Sequence, residues 1–197
     1  MHRGLRIPRL RRKLAAIPFQ PLRSHSFGEE RHKFRLGPRL AEARVDAFEA
    51  KHDIVLPDAY RQFLTHIGGS GAAPFYGLMP LEQCSLRVMN PRGEPGSPRG
   101  FDGRVPRSRG RDLFLHIIEM GCTDLCLIAV TGPLTGRVLM ANSDGYWGPN
   151  VSSATDFLEW YERWLNHMSA GRDNRALELT SPQLRAHPNR HRMISNR

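Results

Sequence analysis

Phe157, Trp160, Tyr161, Trp164, Leu165 and Met168 recur at i, i+3, i+4, i+7, i+8 and i+11. This is the period of one wide face of an α-helix. A face with two tryptophans and a tyrosine has to be buried, since each ring gains about 1.5–3 kcal/mol on leaving water. The remainder of the chain must therefore supply a broad apolar surface, and a sheet is the simplest one. Ser153 reads as the N-cap of this helix, with Asp156 three residues on in the capping-box position.

The preceding segments have the patterns such a partner needs. Ala41, Val45 and Phe48 fall at i, i+4, i+7 and predict a helix over residues 40–52. Leu56-Pro57-Asp58 opens a second. Proline suits the first helical position because its missing N–H would be unpaired there, and Asp58 sits near the positive end of the helix dipole. Tyr60, Phe63, Leu64 and Ile67 form its face, and Gly68-Gly69 end it as residues free to adopt positive φ. Residues 75–79 read as a short strand. Residues 113–118, 125–130 and 137–141 are apolar runs with short loops between them, which favours antiparallel pairing. The order helix, helix, strands, helix gives an α+β class: two N-terminal helices, a mixed and mostly antiparallel sheet, and a C-terminal amphipathic helix packed on it.

Charge divides the chain. Residues 1–36 hold 10 Lys/Arg against 2 Asp/Glu, or +8. Residues 37–172 hold 14 against 15, or −1, and residues 173–197 hold 5 against 2, or +3. Within the middle, 91–111 is a loop of prolines, glycines and six arginines, so the rest of the body carries −5. Residues 1–36 lack a sustained period and contain Pro8, Pro18 and Pro21, which reads as a basic, disordered tail. Pro18 also cuts the apolar run 14–17 short of a secretory signal, although an Arg-rich, acid-poor start resembles an organelle transit peptide as well. The expected organisation is a tail over 1–36, one domain over 37–171, and a second basic polar tail over 172–197. No run approaches the roughly 20 apolar residues that span a bilayer, so no membrane partner is expected. Three cysteines make no disulfide framework, which fits a reducing cytoplasm.

Three stretches resemble the SUKH superfamily, whose founding members include a yeast cell-wall synthesis regulator. The first is Leu56-Pro57-Asp58-Ala59-Tyr60-Arg61-Gln62-Phe63-Leu64 running into Ile67-Gly68-Gly69, with Ile67 where the family often has asparagine. The second is Gly121-Cys122-Thr123-Asp124 leading into Leu125-Cys126-Leu127-Ile128, followed by Gly136-Arg137-Val138; Thr123 departs from a frequent glycine. The third is Phe157 to Leu165, including Trp160 and Trp164, similar to the closing helix of many bacterial members. The likeness covers roughly residues 38–168 and makes 91–111 an insertion. It implies a curved sheet with flanking helices and no catalytic residue set. Bacterial members are mostly immunity proteins that bind and block a toxin delivered by, or shared with, sibling cells, whereas eukaryotic relatives act as regulatory interaction modules.

The residues support no reactive centre of recognisable spacing. Cys122 and Cys126 on one extended segment would lie about 13 Å apart, whereas zinc ligands all sit about 2.0–2.3 Å from one ion. Even with His116 they do not make a metal site, and neither metal nor other cofactor is expected. Gly68-Gly69-Ser70-Gly71 follows a helix and lacks the Lys-Ser/Thr of a phosphate loop. The basic tails are not interleaved with aromatics, so nucleic-acid binding is at most weak and non-specific. A partner surface is better supported. Glu119, Asp124 and Asp144 cluster at strand ends, beside Tyr146 and Trp147 on a turn, where large aromatics anchor interfaces. Acids there suit a basic partner such as a nuclease toxin, whose own site is positive because its substrate is polyanionic. The function expected is a cytoplasmic bacterial immunity protein that neutralises a cognate toxin by stoichiometric occlusion, without catalysis. The alternative is a regulatory protein-interaction module with a basic docking arm.

Overall fold

The computed structural model describes residues 5–23, 27–89, 101–102, 112–143 and 150–172. Five helices and six strands follow in the order α1 (Arg6–Ala16), α2 (Glu29–His32), α3 (Glu42–His52), α4 (Asp58–His66), β1 (Ser85–Met89), β2 (Phe101–Asp102), β3 (Leu113–Glu119), β4 (Asp124–Ala129), β5 (Val138–Asn142), β6 (Asn150–Val151) and α5 (Phe157–Ser169). The fold is α+β. The strands form one sheet in the order β2-β1-β3-β4-β5-β6, and every pairing is antiparallel. Register slips by one residue between His116 and Ile118, a bulge of the kind that increases local twist. Residues 75–79 do not form the expected strand. Leu78 makes only single bridges, to Gly71 and Ile118, because Gly77 at φ +88° before it and Pro80 with the 3-10 turn Leu81–Gln83 after it leave no length for a ladder.

Helix α5 lies at the centre of the core. Phe157, Tyr161, Trp164, Leu165 and Met168 are fully buried. Phe63 of α4 packs edge-on against Phe157 and Tyr161 at 5.1 and 4.6 Å, and Tyr60 meets Phe157 at 4.9 Å. The Tyr161 hydroxyl donates to the Ala72 carbonyl at 2.7 Å, satisfying its polar end inside the core. The N-cap is Asp156, not Ser153: its carboxylate accepts from the Glu159 amide at 2.8 Å, and Glu159 reaches back to the Thr155 amide at 2.8 Å. The reciprocal pair works there because the last extended residue before the turn is Asp156 (φ −152°).

The N-terminal segment departs most from the sequence reading. Residues 5–23 are not a disordered tail. Helix α1 packs along α5 and buries Leu10 and Leu14, and Ile17 follows in a 3-10 turn. Its cations meet acids on α5: Arg6 forks onto Asp156 with two bonds of 2.7 Å, and Arg9 and Lys13 both reach Glu162 at 2.7 Å. The stripe on α5 is wide enough to need two partners, and α1 is the second. The 172–197 tail, apart from Arg172, lies outside the described residues, as does the 91–111 loop apart from β2.

The glycines after α4 also have a different reason from the one expected. The helix ends at Ile67 with φ −109°, and neither Gly68 nor Gly69 has positive φ. A Cβ at Gly68 would stand 2.8 Å from the Leu36 Cβ, and one at Gly69 2.7 Å from both a Leu40 methyl and the Pro38 carbonyl. Close approach of the 36–40 segment, not helix termination, excludes a side chain there.

Candidate functional site

One end of the sheet gathers polar and aromatic groups. Strand β3 ends at Glu119, β4 begins at Asp124, and the turn between them needs two residues with positive φ, Gly121 at +95° and Cys122 at +52°. The buried Asn142 at the end of β5 holds this turn. Its amide donates to the Asp124 carboxylate and the Thr123 hydroxyl, both at 2.8 Å. The Ser143 amide adds a bond of 2.7 Å to the Thr123 carbonyl. The Asp124 carboxylate is thus fixed in direction. Glu119 is half exposed and lies 3.9 Å from His116 Nε2. Burial holds the His116 pKa below its ordinary value, against the opposing pull of Glu119 and the Ile118 carbonyl. A neutral imidazole does not cancel the Glu119 charge.

An aromatic pair adjoins these acids. Tyr76 donates its amide to the Glu119 carbonyl at 3.4 Å, and its ring edge lies over Gly121. Phe27 packs on Tyr76 at 5.1 Å and is 55% exposed. The Arg31 guanidinium sits 4.2 Å over the Tyr76 ring. The structure therefore brings Glu119 and Asp124 to one rim, as expected, and adds Phe27, Tyr76 and Arg31. Asp144, Tyr146 and Trp147 lie outside the described residues. Phe27 escaped the sequence reading because it stands in the segment taken for a tail.

A second concavity, with a volume of about 490 Å³, opens between the starts of α4 and α5 and the β4–β5 turn. Leu56, Pro57 and Gly136 from the sequence motifs line it, with Arg6 across its lip. Arg6 and Asp156 there are committed to each other. Burial tends to raise the Asp156 pKa, but the Arg6 fork and the Glu159 amide outweigh it and hold the carboxyl below the usual range. Burial pushes the Cys84 thiol up to about 12, which keeps it protonated and unreactive at neutral pH. Among the described residues no three His, Cys, Asp or Glu side chains could share a metal ion. Cys126 belongs to the core beneath the helices, whereas His116 pairs with Leu127 on the opposite face of the sheet.

This order of elements and their motif-bearing turns agrees with a comparison of the sequence with protein families: the SMI1 / KNR4 family (SUKH-1) matches over residues 39–160. The chain belongs to this family. The SUKH-1 match begins after α1 and α2 and ends within α5, at Trp160. Helix α1 is thus added to the matched SUKH-1 stretch, and Phe27 and Arg31 of the rim come from the same added segment. No curated protein and no solved structure matches the chain. SUKH domains are generally protein-interaction modules rather than enzymes, and no described helix is long and apolar enough to cross a membrane.

Proposed function

We propose that the chain is an immunity protein that binds a cognate toxin in the cytoplasm and blocks it by covering its active surface. The reading rests on SUKH-1 membership together with the strand-end rim. The rim offers an exposed Phe27 packed on the half-buried Tyr76, beside Glu119 and the fixed Asp124 carboxylate. Aromatic anchors bordered by acids suit a basic protein such as a nuclease. The proposed contacts are Glu119, Asp124, Phe27 and Tyr76, joined by Asp144, Tyr146 and Trp147. The attraction is local rather than one of net charge, because Asp156 and Glu162 are already paired with α1 and Glu159 with Arg163.

The test is growth rescue. Co-expression with the product of an adjacent toxin gene should restore growth and yield a one-to-one complex. Glu119→Lys combined with Phe27→Ala should abolish rescue without moving the Tm by more than a few degrees. Failure of the wild-type chain to bind any adjacent-gene toxin would sink the proposal. The alternative, a regulatory module with a basic docking arm, has less to work with. Arg6, Arg9 and Lys13 are engaged by α5, which leaves Arg11 and Arg12 as the exposed cations of α1 outside these ion pairs.

A further inference from the structure

The large apolar side chains that stand in water among the described residues are Leu5, Phe19, Leu22, Phe27 and Val55. Phe27 belongs to the rim, and Val55 stands at the mouth of the second concavity. Phe19 and Leu22 share one turn beyond α1 and are 85% and 74% exposed. Pro18 and Pro21 are exposed too, so four of the five residues 18–22 present apolar groups to solvent. The turn is fixed in shape. The Gln20 amide donates to the Ile17 carbonyl at 3.1 Å and the Arg23 amide to the Gln20 carbonyl at 3.2 Å, and each proline sets its own φ. Gly171, just past α5, abuts the turn from behind: a Cβ there would lie 2.4 Å from the Leu22 carbonyl oxygen. The charges beside this tip have one sign. Arg12, Ala15 and Phe19 fall at i, i+3 and i+7 on the outward side, and Arg11 and Arg12 are exposed outside the ion pairs with α5. Residues 5–23 contain no Asp or Glu.

We propose that this tip seats on the surface of an anionic lipid bilayer, with Phe19 and Leu22 entering the acyl boundary and Arg11 and Arg12 held among the headgroup phosphates. Shape and charge together select this occupant. A protein partner needs a broad complementary face of about 20–30 residues a side, whereas four apolar groups on one turn make a point. Nucleic acid would use the arginines but has no use for Leu22 or the prolines, which offer no aromatic ring to stack on a base. A bilayer needs neither pairing nor a fitted outline. Apolar groups sink about 5–10 Å into its interface, and each nearby guanidinium is drawn to anionic headgroups. Arg12 and Phe19 lie about 10 Å apart along the helix direction, so one bilayer surface reaches both. No described helix is long and apolar enough to cross a membrane; a seat on the surface asks for none. The inner face of α1 is spent on α5, where it completes the core, which leaves its outer face and the following turn for lipid. The seat does not rest on the immunity reading.

Flotation of the full-length chain with vesicles tests this. With about 30% phosphatidylglycerol in phosphatidylcholine the chain should float with the lipid, and with phosphatidylcholine alone it should not. A net charge of +10 would by itself draw the chain to an anionic surface, so the deciding variant keeps the charge. Phe19→Ser with Leu22→Ser should lower the partition coefficient about tenfold; an unchanged coefficient overturns the proposal. Both side chains are exposed, so the Tm should stay within a few degrees. Independently, an environment-sensitive fluorophore on Phe19→Cys in a Cys122→Ser background reports from the tip, because Cys84 and Cys126 are buried. It should brighten several-fold with the anionic vesicles and not with polyuridylate. No brightening with vesicles, or equal brightening with both, overturns the proposal. So does a dimer in sedimentation velocity that Phe19→Ser with Leu22→Ser dissolves, because the tip would then belong to a second copy. No toxin enters these readouts, so they succeed or fail separately from growth rescue.

Discussion

Two kinds of residue behaviour follow directly from burial. Cys122 is exposed, whereas Cys84 and Cys126 are buried. One thiol of three should therefore react with a disulfide reagent in the native protein and all three after unfolding, as counted by absorbance. His32 and His116 are buried, and desolvation lowers both pKa values. The unfolded chain titrates near 6.5, so below that pH it binds more protons than the folded one. Stability should be flat above about pH 7 and fall as pH drops through about 6.5; a urea midpoint equal at pH 5 and pH 8 would contradict this. Asn142→Ala should cost about 1–3 kcal/mol by freeing the turn at Thr123 and Asp124, measurable by the same midpoints. At this scale Glu119 and Asp124 were legible, since acids that border apolar runs mark strand ends. The Phe27–Tyr76 pair was not, because two rings 49 positions apart meet only through the fold. Gly68 and Gly69 were recognised as required but for the wrong physical cause, since the 36–40 segment that crowds them cannot be read from helix grammar.

Among elements, α3, α4 and α5 were legible from their period, and β3, β4 and β5 from their apolar runs. Helix α1 was not, although Ile7, Leu10, Leu14 and Ile17 do recur at i, i+3, i+7, i+10. Its cations disguised it: a run of arginines without nearby acids reads as a solvated tail, and the compensating Asp156 and Glu162 lie some 150 positions away. Strand β1 was hidden because Ser85 and Arg87 interrupt Leu86 and Val88, so it makes no apolar run. The clasp between α1 and α5 should owe its strength to the leucines. Leu10→Ala or Leu14→Ala should each cost about 2–5 kcal/mol. Arg9→Ala should cost under about 1 kcal/mol, because a half-exposed pair is screened. Thermal unfolding in low and high salt checks the ranking: a salt-driven loss larger than that of Leu14→Ala would reverse it.

For the molecule as a whole, residues 39–160 mark kinship rather than a folding unit. Ending at Trp160 removes Tyr161, Trp164, Leu165 and Met168, all fully buried, and starting at 39 removes α1. A fragment of residues 39–160 should lack dispersed methyl resonances in a one-dimensional proton spectrum, whereas residues 1–172 should retain them. The near-continuous burial along β3, β4 and β5 could not be partitioned between faces from sequence, since strands buried on both sides lose their alternation.

The α1–α5 contact also sets a timetable. Helix α1 leaves the ribosome before α5, since the surface it docks on is encoded about 150 residues later. At about 5–20 residues per second, the nascent chain carries a positively charged amphipathic helix without a seat for roughly 8–30 s. During that interval it is available to anything acidic nearby, ribosomal RNA and chaperones included. Helix α5 must be translated before α1 has its seat.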